Sequence, residues 1–108
     1  MNNKSDISFA SLKNSVLNAH NFIREMIYNE QYSLKVPNDN IADFVCLLIF
    51  DSIISKDTKY TYFQDISFEN TGFITIKNQN NDKLLKTLQF LEDYLNYRIE
   101  NPIDEGTA

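Results

Sequence analysis

A chain of 108 residues, 43% hydrophobic and 23% charged, is long enough to bury one core and too short for two. Fifteen acidic side chains against ten basic ones leave a net charge of −5, so the basic footprint of a phosphate-backbone binder is missing and direct nucleic-acid binding is disfavoured. Two glycines, two prolines and one cysteine exclude collagen-like chains, glycine-rich phosphate cradles and disulfide scaffolds.

The first periodic segment runs from about Asp6 to Tyr32. Phe9, Leu12, Val16, Ala19, Ile23 and Met26 recur every three or four residues, the stripe of an amphipathic helix. Ser5, Asp6 or Ser8 is expected to cap it. Residues 33–37 break the pattern. Leu34 and Val36 alternate with Ser33 and Lys35, which suits a short edge strand ended by Pro37.

A second helix is expected from Asn38 or Asp39 to about Ser55. Asn38, Asp39 and Asn40 all suit a helix start. This helix is apolar almost all round, through Ile41, Phe44, Val45, Cys46, Leu47, Leu48, Ile49, Phe50, Ile53 and Ile54. Such a helix is central, or it presents an apolar face to a partner.

A hairpin follows. Tyr60, Tyr62, Ile66 and Phe68 alternate with Thr61, Asp65, Ser67 and Glu69, with period two. Phe63 breaks the alternation and predicts a bulge near Gln64. Asn70-Thr71-Gly72 supplies the turn, and residues 73–77 the return strand. After a polar loop over residues 78–81, a third helix is expected from Asn81 to Asn101. Asn80 or Asn81 caps it, Leu84, Leu88, Leu91, Leu95 and Ile99 line its inner face, and Pro102 stops it. The fold expected is therefore α+β and helix-rich, in the order α-(β)-α-β-β-α. One domain over residues 1–108 is expected, with frayed ends at about 1–5 and 101–108.

Reactive chemistry is scarce. The sole histidine, His20, sits on the border of the first apolar stripe and reads as structural or solvent-facing. Cys46 lies inside an apolar run and reads as a small hydrophobe. Asp39 and Asp43 share a helix face, but no third metal ligand accompanies them. No metal, no cofactor and no enzymatic activity are expected. The start has no apolar core of a signal peptide, and no apolar run is long enough to span a bilayer. The cytoplasm is the expected compartment, with no membrane attachment.

The acids are unevenly placed. Residues 39–72 hold six acids and two bases, and residues 91–108 hold five acids and one base. Tyrosines accompany them, and tyrosine with carboxylates suits contact with a basic protein surface. The expected function is a small acidic protein-binding module acting by occlusion, of the inhibitor or immunity type. Its partner would be a basic-surfaced protein, such as one that handles nucleic acid. The expected contact residues are Tyr60, Tyr62, Asp65, Glu69, Glu92, Asp93 and Tyr97. A homo-oligomeric structural or chaperone-like protein is the alternative, with a homodimer formed through the apolar second helix. A DNA-mimic inhibitor is the third reading, weakened because the acids are scattered.

Overall fold

The computed structural model describes residues 8–69 and 71–101. Three helices, α1 (Phe9–Tyr28), α2 (Asn38–Asp57) and α3 (Asn81–Glu100), pack with three strands, β1 (Ser33–Lys35), β2 (Ile66–Phe68) and β3 (Phe73–Ile76). The order is α-β-α-β-β-α, and the class is α+β, as the hydrophobic periodicity predicts. The expected fraying at residues 1–5, the caps Ser5 and Asp6, the turn residue Asn70 and the stop at Pro102 lie outside the described residues.

Helix α1 starts where the Ser8 hydroxyl accepts from the Ser11 N–H at 3.2 Å, so one orphan donor is satisfied. It ends in a left-handed residue, Glu30, at φ 55°. The Gln31 N–H then reaches back to the Met26 carbonyl at 2.9 Å, and the Glu30 N–H to that of Ile27 at 3.1 Å. That pair of bonds usually has glycine at the left-handed position. Helix α2 departs from expectation at its start. Pro37 occupies the cap position and no side chain caps the helix, so Asn38, Asp39 and Asn40 are not caps. Asp39 remains in the first turn, where the helix dipole favours it. Helix α3 starts as expected, with Asn80 accepting from the Lys83 N–H at 3.1 Å.

The sheet is antiparallel with order β1-β3-β2, so the last strand fills the middle. Leu34 of β1, Ile74 of β3 and Phe68 of β2 stand in one row. The hairpin is shorter than the alternation suggests. Tyr60 and Tyr62 are not strand residues: residues 62–64 form a 3₁₀ turn, in place of the expected bulge. The cause lies on α2. The Asp51 carboxylate accepts from the Tyr62 N–H at 2.7 Å and from the Thr61 hydroxyl at 3.0 Å. The Tyr62 N–H is thereby drawn off the ladder before β2 begins.

The core joins all these elements. Val16, Ala19 and Ile23 of α1, Phe44, Leu47, Phe50 and Ile54 of α2, and Leu84, Leu88, Leu91 and Leu95 of α3 are buried with Ile66, Ile74 and Ile76. Helix α1 lies against both α2 and α3. Among the described residues, no helix is long and apolar enough to cross a membrane.

Candidate functional site

His20 is wholly buried, not solvent-facing. Its Nδ1 stands 2.7 Å from Glu92 Oε2 on α3, and its Nε2 stands 2.7 Å from the Tyr62 hydroxyl. Glu92 also accepts from Arg24 Nη1 at 2.9 Å. A carboxylate only accepts, so Nδ1 carries the proton and donates to Glu92. The Tyr62 O–H then donates to the bare Nε2. Burial lowers the pKa of His20, outweighing the bond and attraction to Glu92, so the neutral ring is favoured. Burial alone would raise Glu92, but the hydrogen bonds from His20 and Arg24 hold it below the usual carboxylate range. Tyr62 is pushed well up, first by burial, and keeps its proton.

The line carboxylate–imidazole–phenol resembles a proton relay in its order of groups. Its end is closed, because Tyr62 is only 2% exposed. No substrate atom reaches that hydroxyl in this conformation. What the line does is join α1, α3 and the 3₁₀ turn, while Asp51 ties the same turn to α2. Beside it, the Tyr60 hydroxyl donates to Asp65 at 3.2 Å, and Asn78 Nδ2 donates to the same carboxylate at 3.3 Å. Burial and the neighbouring Asp65 raise the pKa of Tyr60. A third polar group closes the far end of the helices. The Tyr94 hydroxyl and Arg98 both donate to Asp57, at 2.6 and 2.5 Å. Tyr94 is pushed up to about 12, first by burial and then by that bond.

These positions redistribute the expected contact residues. Tyr62 and Asp65 are interior, and Glu92 is turned inward to the His20 hydrogen bond and the Arg24 ion pair. Direct contact with a partner is closed to Tyr62 and Asp65 in this fold. Tyr60 is half-buried. Glu69, Asp93 and Tyr97 are exposed. Glu69 stands beside the turn, where its carbonyl accepts from the Gly72 N–H at 2.8 Å. Asp93 and Tyr97 instead share the outer side of α3. Cys46 is half-buried against the core.

Helix α3 has two opposite stripes. Leu84, Leu88, Leu91 and Leu95 face inward and are buried. Lys83, Lys86, Phe90, Asp93, Tyr97 and Glu100 are spaced alternately by three and four, and all six are exposed. Phe90 is 55% exposed and Tyr97 61%. The two rings lie two turns apart, about 10 Å along the axis. Lysines occupy the first part of the stripe and carboxylates the last. An open cleft of about 550 Å³ adjoins the first part, between Thr58, Tyr60 and Asn80 on one side and Lys83, Lys86 and Phe90 on the other. A second apolar feature runs along the outside of α2, where Val45 is 45% exposed and Ile49 and Ile53 are half-buried.

Among the described residues, no three of His, Cys, Asp and Glu converge as a metal site. Phe90, Glu100, Arg24 and Asp51 are not among the expected contact residues. For Asp51 there was a signal, since it is the one acid between Phe44 and Ile54, in a run otherwise nearly all apolar. No protein-family model, curated protein or solved structure matches the chain.

Proposed function

We propose that the protein is a small binding module that acts by occlusion, covering a basic surface of a protein partner with the outer side of α3. The observation that carries the reading is the pair Phe90 and Tyr97, two largely exposed rings bordered by Asp93 and Glu100. Exposed aromatic side chains are the usual anchors of a protein interface, and carboxylates around them steer a basic partner. The one imidazole is engaged in an interior joint, which supports a surface role over a catalytic one. An inhibitor or immunity protein needs no reacting group. Its target would be an enzyme whose own substrate is anionic. The cytoplasm is taken as the compartment, on the single free cysteine.

The test is affinity capture from native lysate, at low and at physiological salt, with Tyr97→Ala and Asp93→Lys beside the unaltered protein. A basic partner retained by the unaltered protein should be lost by about tenfold or more with either variant, as for an interface anchor. Equal capture by all three proteins, or none by any, overturns the reading. The outer stripe of α2 favours a second reading, a homo-oligomeric structural protein, because Val45, Ile49 and Ile53 present apolar surface. There, Val45→Asp should convert an oligomer to a monomer in sedimentation.

A further inference from the structure

The outer stripe of α3 is complementary to itself. Positions 83, 86, 90, 93, 97 and 100 follow the alternating three-and-four spacing of a coiled-coil seam. We propose that a second copy of this chain docks along this stripe, antiparallel, about a two-fold axis between Phe90 and Asp93.

In that register Lys83 faces Glu100 of the second copy, Lys86 faces Tyr97, and Phe90 faces Asp93. The two-fold axis repeats every pair, which is the requirement of an isologous interface. Each lysine meets a carboxylate or the face of a ring, and no like charges face each other. A parallel pair would set lysine on lysine and acid on acid, so charge selects the antiparallel orientation. Sliding one helix by a heptad leaves charged residues overhanging at the ends. The side chains are available for the pairing. Lys83 is 53% exposed and only loosely held, 3.9 Å from Asp65. Asp93 accepts from Gln89 at 3.1 Å through one oxygen and keeps the other open.

The stripe is about 25 Å long and brings only two rings from each copy. An interface of that kind falls in the small class, so a weak, salt-sensitive dimer is expected. The same residues form the face offered above to a foreign partner. Self-pairing therefore masks that face, and a partner must compete with the second copy. The masking rests on the proposed function; the pairing does not.

Charge exchange tests the pairing. Lys83→Glu with Lys86→Glu makes the stripe wholly acidic, and Asp93→Lys with Glu100→Lys makes it wholly basic. All four positions are exposed, and circular dichroism checks that both variants keep their helices. Sedimentation of the unaltered protein at low salt should show a monomer–dimer equilibrium up to about 500 µM, the range of weak interfaces. Each variant alone should be monomeric. Mixed in equal amounts, they should form a heterodimer at least as tight as the original dimer, since both facing ion pairs are kept and the two stripes then carry opposite net charge. A protein monomeric at every concentration overturns the proposal. So does a dimer indifferent to both exchanges, which would assign association to another face such as that of α2. So does a mixture that stays monomeric. None of these results bears on capture of a foreign partner by Tyr97, so the two readings fail separately.

Discussion

The joint around His20 and the outer stripe of α3 are built from the same residue types, put to opposite uses. Tyr62, Glu92, Asp51 and Asp65 are drawn inside, each held by hydrogen bonds from other elements of the fold. Tyr97, Asp93 and Glu100 stand on the same helix as Glu92 or beside it in sequence, yet they face out. A single step along the helix, about 100° of rotation, decides the matter: Glu92 points toward α1, and its neighbour Asp93 points away. Acidity and tyrosine content alone therefore do not mark a binding face. What separates the two regions is whether each side chain is turned into the fold or out to water.

Substitutions with the same chemistry should give opposite results in the two regions. Asp51→Ala strips the acceptor from the Tyr62 N–H and the Thr61 hydroxyl at a site only 7% exposed, and should cost about 3 kcal/mol in urea unfolding. A loss too small to measure would mean that the joint does not hold the 3₁₀ turn.

A smaller effect should come from pH. The folded protein holds His20 below its ordinary 6.5, whereas the unfolded chain takes up a proton near that value. Between the two, the unfolded state binds more protons, so stability falls as pH drops below about 6.5, by at most about 1.4 kcal/mol per unit. Glu92 and Asp57 are lowered too, and their contributions are lost only at more acidic pH. Urea midpoints at pH 7.5 and 5.5 should diverge in the unaltered protein. They should converge in His20→Gln, which has nothing to titrate there. An unchanged slope would break the account of a neutral, buried ring.

The smallest effect on folding should come from the stripe. Asp93→Ala and Tyr97→Ala should leave the urea midpoint where it was, because both side chains are exposed. Capture of a partner should fall all the same. A clear loss of stability with either variant would erase the distinction between the two regions.

The helices were legible because they depend on local spacing. The stripe Leu12, Val16, Ala19, Ile23 and the leucines of α3 predict the buried faces directly, and Ser8 and Asn80 cap as their chemistry suggests. The 3₁₀ turn was not legible. Tyr60 and Tyr62 keep a strand's alternation, and the acid that overrides it lies on another element, 11 residues before Tyr62. His20 is a similar case. Its border position on α1 follows from periodicity, but its partner Glu92 is 72 residues away, and only folding shows that α3 covers it. The expected contact residues were chosen by type. Type does not distinguish an interior tyrosine with a hydrogen-bond partner, such as Tyr62, from an exposed one, such as Tyr97.

The arrangement β1-β3-β2 has a consequence for how the protein behaves in crowded solution. The sheet's two open borders are three residues long each, and Ser33 and Lys35 on the first point to water. An intruding strand would find few free backbone groups to bind and would have to settle beside an ammonium group. The longer and more apolar β3 is shielded on both flanks by its own chain. Amyloid-like growth from the native state is thereby denied its template, even though Phe73-Ile74-Thr75-Ile76 has the composition that such growth favours.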